Sequence, residues 1–197
     1  MKNRSLSYIT KVGILSALAA VLMLIEFPLP FIAPPFYELD FSELPVLIGS
    51  FALGPVAGVL IELFKNLLNL LINGTDTAFV GEFANFLMGC AFVLPAAIWY
   101  RLKKSRKAAL LGMALGTIAL TVVGTLVNYF VLIPMYSVLY NLPIDVIVGM
   151  GTAINPAITN LPMLVVLCVA PFNLIKGVII SALTFVLYKR VSPLLKL

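Results

Sequence analysis

The chain has 197 residues, 62% of them hydrophobic and 11% charged, with a mean hydropathy of +1.12. A soluble domain carries roughly 25% charged residues so that its surface can face water. This chain therefore presents an apolar surface, which excludes an ordinary soluble enzyme. The absence of histidine excludes zinc-protease and histidine-base chemistry, and the formal charge of +5 does not point to nucleic acid, because the basic residues fall where membrane topology wants them.

Backbone groups in lipid must be satisfied within the protein, by helices or by a closed barrel. The apolar runs here are long and unbroken rather than alternating, which selects helices. The sequence predicts a single all-α membrane domain over 1–197 with six transmembrane helices. The first covers 6–26. It follows Lys2, Arg4 and Lys11 like a signal peptide but lacks a small-residue cleavage pattern before Glu26. A loop over 27–41 holds Pro28, Pro30, Pro34 and Pro35. Span two, 42–53, is short and is broken from span three, 56–72, by Gly54-Pro55. Asn73-Gly74-Thr75-Asp76 reads as a turn before span four, 78–100. A basic run from Arg101 to Lys107 separates it from span five, 108–136. A second loop contains Asn141, Pro143, Asp145, Gly149, Gly151, Asn155 and Pro156, and span six covers 161–188. Cys90 and Cys168 lie within apolar segments and read as small core residues.

Eleven of the thirteen basic residues lie in the N-terminal tail, the loop after span four and the C-terminal tail. Six spans put these segments on one side, which the positive-inside rule makes cytoplasmic, with both termini inside. Glu26, Glu38, Asp40, Glu43, Asp76, Glu82 and Asp145 fall on or near the opposite side.

Ionisable groups within spans cost at least about 2.5–3.5 kcal/mol near the bilayer centre, so they face the bundle interior and take partners. Glu62 and Lys65 are three residues apart on one helical face, which suits an internal ion pair. Lys176 has Asn173 as its polar companion and no charged neighbour on its own helix; it points to a cavity or ligand, or else to a bridge with Glu62 or Glu82. Asn66, Asn69, Asn85, Asn128 and Asn173 are buried amides. The last three fall in the outer halves of their spans, with Glu82 beside Asn85, and describe a pocket open to the outside. Phe83, Phe86, Tyr129 and Phe130 sit beside these amides and offer flat stacking surfaces. The aromatic and acidic stretch from Pro34 to Phe41 reads either as a lid or as an interfacial belt.

The blocks Glu38-Leu39-Asp40-Phe41-Ser42-Glu43-Leu44-Pro45 and Gly54-Pro55-Val56-Ala57-Gly58-Val59 resemble the substrate-binding (S) components of energy-coupling factor (ECF) transporters. Glu62-Leu63-Phe64-Lys65-Asn66, Gly81-Glu82-Phe83-Ala84-Asn85-Phe86 and Phe172-Asn173-Leu174-Ile175-Lys176-Gly177 look like its riboflavin-specific branch. The resemblance covers 10–188. It implies a six-helix fold in the cell membrane that binds riboflavin from the extracellular side, with a transmembrane coupling subunit and two ATPase subunits as partners. No Gly-x-x-x-x-Gly-Lys-Ser/Thr run is present in this chain, so ATP hydrolysis is assigned to the partners. The implied ligand-binding set is Tyr37, Leu39, Glu82, Asn85, Asn128, Tyr129, Asn173 and Lys176. The family's Ala-x-x-x-Ala docking pattern on span one is not literal, and Gly13, Ser16, Ala17 and Ala20 supply small residues at that spacing. No catalytic residue or metal site is expected. The residues alone leave open an S component for thiamin, biotin or folate, an intramembrane enzyme using Glu62, Lys65 or Lys176, and a scaffold or channel.

Overall fold

The computed structural model describes residues 2–75 and 77–195; the side chains of 2–5, 189 and 192–195 fall outside the description, as does Asp76 of the expected turn. The chain runs α1 (Lys2–Met23), β1 (Phe27–Pro28), β2 (Glu38–Leu39), α2 (Glu43–Leu53), α3 (Pro55–Asn73), α4 (Val80–Lys103) and α5 (Arg106–Val127). It continues through a π-helical turn (Asn128–Leu132) into α6 (Ile133–Leu139), then α7 (Ile144–Thr152), α8 (Leu161–Leu164), a second π-turn (Val165–Val169) and α9 (Ala170–Leu195).

Among the described residues, five helical segments are long and apolar enough to cross a membrane: Leu6–Met23, Pro55–Asn73, Val80–Lys103, Arg106–Leu139 and Leu161–Tyr188. Only 33–44% of the most apolar window in each is buried against the protein, and residues such as Leu71, Leu102 and Phe130 point outward. An apolar exterior on this scale suits lipid rather than water. The second expected span is α2. Its eleven residues rise only about 16 Å, half a bilayer core. It packs against α1, α3, α4 and α9, with Val46, Leu47 and Ile48 buried.

Several boundaries move. The first helix ends at Met23, so Glu26 belongs to the following loop. Arg106 and Lys107 form the first turn of α5, where the Ser105 side chain accepts from the Ala108 backbone N–H at 3.1 Å. The expected second loop contains a helix, α7, whose Ile147 and Val148 are buried against the core. Its Pro143, Gly149 and Gly151 look like turn formers in sequence, yet Pro143 is the N-cap and the glycines ride within the helix.

Helices α4 and α5 pack with their backbones in close approach. A Cβ on Gly112 would lie 2.7 Å from the Ala96 carbonyl oxygen, and one on Gly116 would strike the Phe92 carbonyl. The Gly-x-x-x-Gly spacing thus lets two backbones touch, as membrane helices favour. The segment 24–42 crosses one end of the bundle. Its short antiparallel ladder pairs Phe27 with Leu39 and Pro28 with Glu38, while Ala33 and Leu39 pack into the core with Ile133, Ile158 and Phe172.

Candidate ligand-binding site

The bundle and the 24–42 segment enclose a cavity of about 540 Å³. That lies within the 300–1,000 Å³ range of small-molecule sites. Its wall is built by helical faces whose spacing explains their membership. Asn128, Leu132, Tyr136 and Tyr140 recur every four residues and all line it. From α4 come Gly81, Glu82, Asn85 and Met88; from α9 come Phe172 and Lys176, again four apart. Phe36, Tyr37, Glu38 and Asp40 close the wall from the crossing segment.

Asn128 sits at the start of the π-turn after α5. Such turns break helical register and recur at functional sites. Its Nδ2 donates to the Gly124 carbonyl at 2.8 Å, and its Oδ1 accepts from the Tyr37 hydroxyl at 2.7 Å. The carboxamide therefore fixes Tyr37, while one N–H and one lone pair take no partner among the described residues. Burial raises the Tyr37 hydroxyl well above the ordinary phenol range, so it is a donor at any working pH.

Lys176 is paired with Asp40, Nζ to Oδ2 at 2.7 Å, and Asp40 Oδ1 accepts from the Ser42 backbone N–H at 2.7 Å. This partner differs from Glu62 and Glu82, the acids considered from sequence. Burial works to raise the Asp40 carboxyl, but the Lys176 and Lys65 charges outweigh it and hold it at about 2. Lys176 thus offers its remaining N–H donors to the cavity from a fixed position. From the α4 part of the wall, Glu82 Oε2 accepts from the Thr77 hydroxyl at 3.0 Å. Glu26 lines the rim, where partial burial and the neighbouring Glu38 and Asp40 carboxyls push it up to about 7 against the pull of Lys176.

Of the expected ligand set, Tyr37, Glu82, Asn85, Asn128 and Lys176 converge on the cavity. Leu39, Tyr129 and Asn173 do not line it. Leu39 is buried in β2, and Tyr129 packs behind the wall with its ring against Phe130. Asn173 donates to the Val169 carbonyl at 3.0 Å and fits against Gly124, where a Cβ would come within 2.8 Å of its Nδ2. The expected stacking surfaces also change. Phe83 and Phe130 are exposed on the outside of the bundle, and Phe86 is not in the wall. The aromatic lining is Phe36, Tyr37, Tyr136, Tyr140 and Phe172. Of the docking residues on α1, Gly13 and Ala17 are exposed, while Ser16 and Ala20 are buried at 0% and 2% exposure. The expected Glu62–Lys65 pair forms at 2.7 Å, and Glu43 joins it at the same distance.

Residues 7–188 match the family described as ECF transporter, substrate-specific component. The chain belongs to that family. It is similar to Riboflavin transporter RibU of Staphylococcus aureus (strain TCH60), 43% identical across 94% of this chain and 90% of that protein. Riboflavin transporter FmnP of Bacillus subtilis (strain 168) is 33% identical across 92% and 90%. The solved S component of a bacterial ECF transporter is 38% identical, with a TM-score of 0.76 over all of both chains. This S component is accordingly a multi-pass helical membrane protein, and its relatives are transporters rather than enzymes.

Proposed function

We propose that this protein captures riboflavin for import as the S component of an ECF transporter. The observation that carries the reading is the cavity wall, where an aromatic lining meets an amide, a lysine and acidic groups at fixed positions. Riboflavin combines a broad flat ring with a neutral polyol. Tyr37, Tyr136, Tyr140 and Phe172 supply apolar and aromatic surface for the ring. Its pyrimidine edge alternates acceptors and a donor, which the free N–H and lone pair of Asn128 and the donors of Lys176 match. Glu82 and Asn85 face the hydroxyl-bearing tail from α4. Asn173 supports this set from behind, through Gly124. The riboflavin transporters named among the relatives favour this vitamin over thiamin, biotin or folate.

The cavity opens to the extracellular side, and six spans with both termini cytoplasmic follow from the clustering of basic residues. The energy comes from a transmembrane coupling subunit and two ATPase subunits, which dock on the α1 face carrying Gly13 and Ala17. Labelled riboflavin uptake in riboflavin-auxotrophic cells tests the whole reading. Uptake requires both this chain and a coupling module; uptake by this chain with no ATPase partner would sink the S-component role.

A further inference from the structure

A second polar centre lies away from the cavity, where α2, α3 and α4 meet. Glu43, Glu62, Lys65 and Asn66 are buried there, none more than 6% exposed. Lys65 Nζ lies 2.7 Å from Oε1 of Glu43 and 2.7 Å from Oε1 of Glu62, and donates to Ser42 Oγ at 3.2 Å. The two carboxyls are thus brought together at one ammonium. They converge beside Gly89 of α4, where a Cβ would collide with the Glu62 carboxyl and lie 2.9 Å from Glu43 Oε1.

The group is one positive charge short, and donors are short as well. Two carboxylates against one ammonium leave a net negative charge in a dry site, and an uncompensated buried charge is strongly disfavoured. Among the described residues no second cation pairs with either acid. Asp40, the nearest acid outside the group, is answered by Lys176, and Cys90 is the titratable group facing the pair from α4. Independently, Glu43 Oε2, Glu62 Oε2 and Asn66 Oδ1 are buried without a hydrogen-bond partner among the described residues. Asn66 reaches into the group through its Nδ2, which donates to Glu62 Oε1 at 3.0 Å. A hard metal ion wants about six or more oxygens, and an ammonium already touches both carboxyls. A proton needs only two oxygens.

We propose that Glu43 and Glu62 form a proton-binding site, sharing one bound proton between their carboxyl groups and leaving the triad with Lys65 electrically neutral. The site is linked to the cavity: Ser42 accepts from Lys65 through Oγ, and its backbone N–H donates to Asp40, which holds Lys176.

The test is infrared spectroscopy of the full-length protein in a maltoside detergent, which has no ester carbonyls, with isotope-labelled glutamate carboxyls. At about pH 7, with Glu26→Gln in every sample so that this acid contributes no band, the otherwise wild-type protein shows a protonated-carboxyl stretch that moves with the label. Glu62→Gln and Glu43→Gln each abolish it, because one remaining carboxylate is balanced by Lys65 and keeps no proton. The otherwise wild-type protein without the band overturns the proposal, whatever the variants do. A band that survives either substitution also overturns it, since the proton would then belong to one acid alone or lie elsewhere. The spectrum needs no flavin, so its outcome is independent of the ligand assignment.

Discussion

The Tyr37 hydroxyl donates to Asn128 Oδ1 at 2.7 Å, joining the segment that crosses the cavity to the π-turn at the end of α5 across 91 positions of sequence. The bond fastens one wall of the cavity to another. Tyr37→Phe keeps the ring and its packing on Phe172 but removes the donor. A net hydrogen bond contributes about 0.5–1.5 kcal/mol, so stopped-flow measurement should show riboflavin leaving about 2- to 10-fold faster.

Lys176 and Asp40 depend on each other. Lys176→Met leaves a carboxylate that is 3% exposed without its cation, and breaking such a pair costs about 3 kcal/mol or more. The expected result is a lower melting temperature and at least about tenfold weaker riboflavin binding. Adding Asp40→Asn should recover most of the stability and none of the affinity. A double-mutant cycle on both quantities checks this.

Gly124 gives room to the Asn173 amide. A Cβ there would sit 2.8 Å from Asn173 Nδ2, 3.1 Å from its Cγ and 3.3 Å from Met88 Sδ. Gly124→Ala forces the contact between α5 and α9 apart and should destabilise by about 1–3 kcal/mol. Denaturation in detergent measures it, and a variant as stable as wild type would contradict the packing.

Glu26 gives the fold a pH dependence. Its carboxyl is raised from an ordinary 4.5 to about 7, so the folded protein holds this proton more tightly than the unfolded chain does. Its contribution to stability is fully present below about 4.5 and is lost as pH rises through about 7. The melting temperature of wild type relative to Glu26→Gln should therefore fall from pH 5 to pH 8, which span that change. A constant difference would contradict it.

The helical membrane fold was legible because apolar length and the segregation of basic residues are local, additive signals. So was the Glu62–Lys65 pair, three residues apart on one face. Lys176 was recognised as out of place, but its partner lies 136 residues away in a loop that no periodicity ties to α9. Glu43 was grouped with the outer acids because nothing local says that α2 is buried rather than merely short. The aromatic lining was misassigned by taking neighbours of the amides in sequence. Tyr136 and Tyr140 continue the four-residue spacing from Asn128, and that facial pattern identifies them where adjacency chose Tyr129 and Phe130. The π-turns have no sequence signature of this kind, so the register shift that places Asn128 was not visible.

The most direct test of the central claim is a riboflavin fluorescence titration of the purified protein, freed of any flavin carried through purification. Riboflavin binding in the cavity predicts quenching that saturates near one equivalent and is weakened at least about tenfold by Lys176→Met. Flavin fluorescence that stays unchanged at every protein concentration would contradict the riboflavin assignment while leaving the S-component fold in place.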